Sequence, residues 1–227
     1  MMKIRYFLHT NPREANRSII IREGTTMGFF DSLTSSIQNL QKFHGEDEGP
    51  NQETLEQYGA PVRSLYTAVD LRDIHQKIEV RDEQGSVRYW TKSSMIVIKG
   101  KTDIFDADGK QVAHLEKQPV SLHEKHFITM ADGRQFTLSN ELFHVFKDVT
   151  NIEGLGWQLQ GNVLGLNFML FDQNGEPVAA IGQKAVSLHN RYSIDLYQTQ
   201  DEAVVVAIVI QLQKMLAARR ENRNSGD

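Results

Sequence analysis

The sequence lacks cysteine, long hydrophobic runs and an excess of basic residues, and each absence excludes a class of protein. Without cysteine there is no disulfide, no thiolate metal ligand and no cysteine nucleophile. No run approaches the ~18 apolar residues that a membrane-spanning helix needs. The first 26 residues also lack the pattern of a secretory signal. We therefore expect a cytoplasmic protein.

The charge balance argues against nucleic acid as a partner. The chain has 25 Lys and Arg residues against 29 Asp and Glu residues, for a formal net charge of −4. A nucleic-acid-binding protein normally carries a basic patch as its electrostatic footprint. The content of 40% hydrophobic and 24% charged residues is instead typical of a globular protein with a sizeable core.

Residues 1–60 differ from the rest of the chain and predict an N-terminal extension. Phe30, Leu33, Ile37 and Leu40 recur at three- and four-residue spacing, which predicts an amphipathic helix over about residues 30–43. Residues 45–60 have the polar composition of a linker, and such segments are often partly disordered. The segment beginning at Met27 resembles the start of a protein, so Met1 and Met27 remain alternative starts.

From Tyr66 onward the sequence predicts short antiparallel strands. Runs such as Ile78–Arg81 and Tyr192–Leu196 alternate between apolar and polar residues, which is typical of half-buried strands. Short polar residues precede glycines between these runs, a pattern that predicts hairpin turns. The glycines at 85, 109 and 133 are 24 residues apart, so the spacing predicts a meander of two strands per repeat.

A stronger internal repeat relates residues 105–128 to residues 171–194 at a constant offset of 66, with ten identities and no gap. The identical residues of the first copy are Phe105, Asp106, Gly109, Val112, Ala113, Val120, Ser121, Leu122, His123 and Ile128. Two strands per 24 residues give about 11 or 12 strands between Tyr66 and Thr199. A sheet of that size is expected to curl into a closed barrel whose interior needs a further element to fill it.

Residues 201–220 supply that element. The segment begins with two acidic residues, continues through an apolar run over 203–210 and ends in two arginines, which complements a helix dipole. Its first half is apolar on all sides, as expected of a buried helix. The density of β-branched residues leaves a pair of strands as the alternative. Residues 221–227 are expected to form a flexible tail.

Four segments carry a resemblance to a known family: Ile78–Gly85, Asp103–Gly109, Tyr192–Asp195 and Asp201–Leu216. Together they resemble the LURP-one-related family of the tubby C-terminal-like superfamily, over about residues 65–220. The resemblance implies a domain with a closed, twelve-stranded antiparallel β-barrel and a helix through its centre, as in tubby proteins and phospholipid scramblases. No stretch matches the basic phosphoinositide site of tubby proteins residue by residue, so no functional residue is transferred.

No local motif predicts catalysis, a cofactor or a metal. His123 and His126 are three residues apart, which places them on opposite faces of a strand and prevents them from sharing one ion. Asp106 and Asp108 do not fit a calcium loop and are interpreted as turn residues. No nucleophile-elbow glycines surround Ser93, Ser94, Ser121 or Ser187, and no phosphate-cradling glycine loop occurs.

The basic side chains offer a candidate binding surface. A solvated surface is the simpler interpretation, but some of these residues could converge on one end of the barrel and hold an anionic headgroup. The residues in question are Lys99, Lys101, Lys117, Lys125, Lys184, Arg191, Arg219, Arg220 and Arg223.

We expect a non-enzymatic binding or scaffold module whose protein partner the sequence does not identify. The alternative is a peripheral membrane protein that binds anionic phospholipid or phosphoinositide headgroups, with the N-terminal helix in the interface. An enzyme without a recognisable motif is the third hypothesis.

Overall fold

In a computed structural model, the protein is a single antiparallel sheet wrapped around a C-terminal helix. The structure describes residues 57–68, 77–93, 100–118, 124–139, 142, 149–184 and 191–224. The strands are β1 (Arg63–Ala68), β2 (Glu79–Asp82), β3 (Val87–Ser93), β4 (Lys101–Asp106), β5 (Gln111–Lys117), β6 (Lys125–Met130), β7 (Gln135–Ser139), β8 (Val149–Asn151), β9 (Gln158–Asn162), β10 (Asn167–Phe171), β11 (Pro177–Lys184) and β12 (Arg191–Leu196), and the helix is α1 (Glu202–Asn224).

The strands form the predicted meander. Their order is β7-β6-β5-β4-β3-β2-β1-β12-β11-β10-β9-β8, so β1 and β12 pair at the centre while β7 and β8 lie at the edges. All of the pairings are antiparallel, and the strand number agrees with the sequence estimate. The predicted meander of about twelve strands is therefore confirmed.

The predicted hairpin turns are built around aspartate side chains. Asp106 Oδ1 accepts hydrogen bonds from the backbone N–H groups of Asp108 and Lys110, at 3.1 and 2.9 Å. Gly109 follows with φ of 79°, a conformation that glycine adopts without strain. Asp172 repeats the arrangement in its own turn, 66 residues later. The interpretation of Asp106 as a turn residue is confirmed.

Because neighbouring strands run in opposite directions, the two ends of the sheet differ. One end carries the turns at residues 83–86, 107–110, 131–134 and 172–176 and the start of α1, and we name it the turn end. The other carries the last turns of α1 and the strand termini at Ser93, Lys101, Lys117 and Lys125, and we name it the exit end. Lys214 lies in the second half of α1, and its Nζ atom is 3.1 Å from Ser93 Oγ.

The first part of helix α1 is enclosed by the sheet. Residues 204–210 are seven consecutive positions with 0% exposure, and they cover every side of a helix with 3.6 residues per turn. They form one core cluster with the inward side chains of the strands. The helix starts at the turn end, where Arg134 pairs with Asp201 and Arg63 pairs with Glu202. The predicted buried helix is confirmed, and the alternative of two strands is wrong.

The internal repeat corresponds to two copies of the same three-strand unit. Residues 105–128 extend from the end of β4 into β6, and residues 171–194 extend from the end of β10 into β12. Each copy has a register shift at the same place, where Val112 and Val178 are the extra residues. A bulge lets two consecutive side chains face the interior, which explains the shared Val-Ala pairs at 112–113 and 178–179.

The two edge strands approach each other without forming a ladder. Thr137 of β7 and Glu153, just after β8, form an isolated bridge, with a 2.9 Å hydrogen bond from Thr137 N–H to Glu153 O. A Cβ atom at Gly154 would lie 2.8 Å from the carbonyl oxygen of Gln135. Strand β8 has only three residues, too few for a continuous ladder. Within the described residues the sheet is thus not closed by hydrogen bonds, and the closed barrel is not confirmed.

Two further expectations have different outcomes. The alternating pattern of residues 192–196 predicts a half-buried strand, but Ser193 and Asp195 on its polar face are 0% exposed, so that prediction is wrong for β12. Both faces of β12 are covered.

The helix expected over residues 30–43, the linker before residue 57 and the two alternative starts lie outside the described residues.

Candidate functional site

The two ends of the sheet carry opposite charge. Among the described residues, the exit end holds eight basic and five acidic side chains: Lys92, Lys101, Lys117, Lys125, Lys214, Arg219, Arg220 and Arg223 against Asp103, Glu116, Glu124, Glu153 and Glu221. The turn end reverses the balance, with nine acidic side chains, Asp82, Glu83, Asp106, Asp108, Asp132, Asp172, Glu176, Asp201 and Glu202, against Arg63, Arg81, Arg88, Lys110 and Arg134. A chain with a net charge of −4 therefore presents one basic surface.

A surface cavity of about 270 Å³ lies within the exit end. Its walls come from the last turns of α1 and from the start of β6, and the lining residues are Glu124, Met215, Ala218, Arg219, Asn222 and Arg223. Arg219 and Arg223 are exposed and four residues apart, so they lie on the same face of the helix. The cavity is smaller than a typical site for a drug-sized ligand and suits a small group such as a phosphate.

An ion pair neutralises the acidic wall of this cavity. Glu124 pairs with Lys117, which lies at the end of β5. Lys101 and Glu116 form a second pair at the same end, with 3.2 Å between Lys101 Nζ and Glu116 Oε1. Arg219 and Arg223 are therefore the charged residues of the cavity lining besides the paired Glu124.

A buried histidine lies behind Glu124. His126 faces the interior from β6 and is 7% exposed, and its Nε2 atom is 3.5 Å from Glu124 Oε1. Burial lowers the pKa of His126 to about 4, and the charge of Lys117 acts in the same direction against the opposing effect of Glu124. His126 is thus neutral at neutral pH, and Lys117 is the cation that balances Glu124.

An apolar turn also lies at the exit end. Residues 163–166, between β9 and β10, read Val-Leu-Gly-Leu, whereas the turns at the opposite end are polar. Val163 and Leu166 are buried, and Leu166 adopts a positive φ of 50°. Leu164 projects from the tip with 36% of its surface exposed. An exposed leucine thus lies on the same end as the basic side chains.

Ion pairs and hydrogen bonds stabilise the turn end of the molecule. Glu202 accepts a hydrogen bond from Arg63 at 2.7 Å and another from Tyr89 Oη at 3.0 Å. The pKa of Tyr89 is raised by burial and by the nearby carboxylate of Glu202. Asp132 and Arg134 bind each other, so the pKa of Asp132 is lowered and that of Arg134 is raised. These contacts anchor the start of α1.

The structure brings together six of the nine basic residues that the sequence singled out. Lys101, Lys117 and Lys125 lie at strand termini of the exit end, near the arginines at 219, 220 and 223. The backbones of Lys184 and Arg191 lie at the same end, and Lys99 is outside the described residues.

The other candidates do not assemble a reactive centre in the described part of the chain. Ser93 contacts the hydroxyl of Thr102 at 3.2 Å and accepts a hydrogen bond from Lys214. His123, Ser94, Ser121 and Ser187 lie outside the described residues. No group of three or more His, Asp or Glu side chains that could hold a metal occurs in the described ranges.

Sequence reasoning missed the cavity and the apolar turn. Nothing in the local sequence indicates that the start of β6 faces the end of α1, because the two segments are about 90 residues apart. The available signal was the direction of the strands: once the glycine turns are placed at one end, the lysines between them must lie at the other.

Comparisons with known proteins agree with the resemblance of the sequence. The chain is similar to an X-ray structure of a protein from Arabidopsis thaliana, with 14% identity and a TM-score of 0.45, over 70% of this chain and 94% of that one. No curated protein matches it. None of the helices in the described ranges is long and apolar enough to cross a membrane. The sequence profile of the LURP-one-related family matches residues 69–213, more than half of the 227 residues, and the chain belongs to that family.

Proposed function

We propose that this protein is a non-enzymatic binding module that holds an anionic group, such as a phosphate, at its exit end. The observation that carries the proposal is the cavity at the exit end, which is lined by Arg219, Asn222 and Arg223 of α1. A guanidinium group binds phosphate through paired, charge-assisted hydrogen bonds. The amide of Asn222 adds a neutral donor.

The electrostatics favour a small anion over a long one. The C-terminus of a helix carries a partial negative charge and by itself repels anions, so binding here depends on the arginines. The excess of basic side chains at the exit end, eight against five acidic ones, opposes that partial charge. The acidic turn end and the net charge of −4 work against an extended polyanion such as nucleic acid.

Binding without covalent chemistry is the simplest function for this cavity. Its described lining has no serine, threonine or histidine, and Glu124 is paired with Lys117. A hydrolase or transferase would need a nucleophile or general base within reach of the bound group.

The direct test is calorimetry of the full chain with inorganic pyrophosphate as the probe. The double substitution Arg219→Gln and Arg223→Gln should weaken binding at least about tenfold, because it removes both guanidinium groups. Arg88→Gln, at the turn end, is the matched control and should bind like the unmodified chain. Binding should also weaken with about 0.3 M added salt, since exposed charges are screened. Equal affinity in the double variant and the control would refute the proposed site.

A membrane is the second candidate source of the anion, and Leu164 is the observation that favours it. An exposed leucine at the tip of an apolar turn, on the same end of the sheet as the basic side chains, matches the arrangement of a protein that rests on an anionic bilayer. The apolar face of the helix expected over residues 30–43 would add to such an interaction. Binding of soluble pyrophosphate alone would instead indicate a phosphorylated small molecule.

Flotation distinguishes these two sources. The full chain is mixed with vesicles of phosphatidylcholine alone, or with about 20% phosphatidylserine added to provide negative charge. A peripheral membrane protein should float only with the anionic vesicles, and Leu164→Ser should reduce the floated fraction without changing pyrophosphate binding. Flotation that is absent, or unaffected by Leu164→Ser, would exclude the turn as a membrane contact.

We also propose two finer features of the architecture. Residues 65–220 form one domain, and its sheet closes into a barrel by packing of the segment at Glu153 and Gly154 against β7. The bridge at Thr137 and the close approach of Gly154 to Gln135 support this closure. A closed barrel would hold the exit end as a rigid rim around α1.

A further inference from the structure

The two copies of the internal repeat differ on their outer faces. Six outward positions of β4–β6 are half-buried or exposed: Asp103, Phe105, His114, Glu116, Phe127 and Thr129. The six positions 66 residues later are all buried: Met169, Phe171, Ala180, Gly182, Ser193 and Asp195. The same backbone unit therefore faces solvent in the first copy and is covered in the second.

The covered face, which we name the outer patch, combines an apolar and a polar part. Met169, Phe171 and Ala180 form a cluster separate from the main core and are between 1% and 5% exposed. Beside them, Asp195 accepts hydrogen bonds from the hydroxyl groups of Ser64 and Ser193. Full burial of a methionine and a phenylalanine on the outside of a sheet requires a further layer of protein.

One end of that layer is visible at Tyr58. Its ring lies edge-on to Phe171, with 5.9 Å between ring centroids, and 6.3 Å from the ring of Tyr197. Burial and the charge of Asp195 raise the pKa of Tyr197 to about 12, as expected where this layer excludes water. The chain thus enters the described part of the structure on top of the outer patch, with 56 residues preceding Gln57.

We propose that the outer patch is the docking surface for the N-terminal extension, and that its occupant is the apolar face of the amphipathic helix expected over residues 30–43. Phe30, Leu33, Ile37 and Leu40 span about 15 Å along a helix, similar to the width of the three strands β10–β12. The 14 residues between Phe43 and Tyr58 reach up to about 50 Å, which is ample to place that helix on the patch. The extension then acts as a second layer over one half of the sheet.

The absence of cysteine makes this proposal testable with single thiols in the full chain. Ala180→Cys places a thiol in the outer patch, and His114→Cys places one at the equivalent position of the uncovered copy. We expect the Ala180→Cys thiol to react with a maleimide at least about 100-fold more slowly, because the cover must open first. Adding Ile37→Glu should accelerate the reaction at position 180 at least about tenfold and leave that at position 114 unchanged.

Asn39→Glu is the matched control, since residue 39 lies opposite the apolar face of the expected helix. It should leave the Ala180→Cys thiol protected. Protection that persists in the Ile37→Glu chain would overturn the assignment, because another part of the protein would then be the cover. Protection that disappears on dilution would also overturn it, in favour of a second copy of the chain.

Hydrogen exchange provides a readout without cysteine, for the case that Ala180→Cys disturbs folding. In the full chain, Ile37→Glu should accelerate exchange in β10–β12 and leave β4–β6 unchanged, and Asn39→Glu should change neither. Equal acceleration in both copies would mean that the substitution loosens the whole sheet, which contradicts a specific docking surface.

Discussion

Removal of the buried imidazole of His126 should make the stability of the protein less dependent on pH. The side chain is 7% exposed on β6, and burial lowers its pKa from 6.5 to about 4. The charged groups facing it are Glu124, which raises the pKa, and Lys117, which lowers it. In the unfolded chain the imidazole returns to its ordinary pKa and binds a proton more readily.

The direction and the magnitude of the effect of His126 on stability follow from these two pKa values. Between pH 6.5 and pH 4 the unfolded state binds more protons than the folded state, so stability falls as the pH falls through this window. The loss due to His126 is about 2 kcal/mol between pH 7 and pH 5, and it approaches roughly 3 kcal/mol below pH 4. Well above pH 6.5 the imidazole is neutral in both states, and its contribution to the pH dependence disappears.

Urea denaturation of the unmodified chain and of His126→Leu at pH 7 and pH 5 measures this contribution. The difference in unfolding free energy between the two chains should shift by about 2 kcal/mol in favour of the variant at the lower pH. Ile128→Val, at the next inward position of β6, is the control. Its loss of unfolding free energy should be the same at both pH values, because neither side chain binds a proton. A difference between the unmodified chain and His126→Leu that stays constant would show that the imidazole is not buried in its neutral form.

Three further substitutions test the fold by denaturation. Ile208→Ala removes a fully buried side chain from α1 and should cost about 2–5 kcal/mol, so a cost below about 1 kcal/mol would contradict an enclosed helix. Gly154→Ala should lower the free energy of unfolding more than Gly133→Ala does. Both glycines have φ near 90°, but only a Cβ atom at position 154 would clash with Gln135. Equal losses would contradict the packing of the two sheet edges. Asp172→Ala leaves two turn N–H groups without their acceptor and should cost about 1 kcal/mol, and no cost would exclude a structural role for that turn.

Much of the fold was predictable because it depends on local signals. Aspartate and glycine fix the turns, as at Asp106 and Gly109, and the spacing of the turns determines the number of strands. The all-apolar surface of residues 204–210 identified α1 in spite of its β-branched residues, since tertiary burial overrides intrinsic strand propensity. The lack of a hydrogen-bonded ladder between the two edges was not predictable, because the approach of β7 to the segment after β8 depends on single contacts such as the bridge between Thr137 and Glu153 rather than on a sequence pattern.

The candidate site was less predictable, because the contribution of a charged residue to a binding surface depends on its position in the folded structure and not on its position in the sequence. The net charge of −4 hides a basic end, and only the alternating direction of the strands separates lysines such as Lys117 from aspartates such as Asp106. The outer patch was missed for a related reason. Ser193 and Asp195 are polar, so the strand appears half-exposed in sequence, and only the structure shows that they are buried.

Shift mapping by NMR tests the central claim, a basic exit end that binds anions, most directly. The isotopically labelled full chain is titrated with inorganic pyrophosphate, and the changes in backbone amide shifts are assigned to residues. We predict saturable changes over residues 214–224 of α1 and around Glu124, with little change at the turn end. Changes confined to the turn end, or no saturable change at all, would contradict the account.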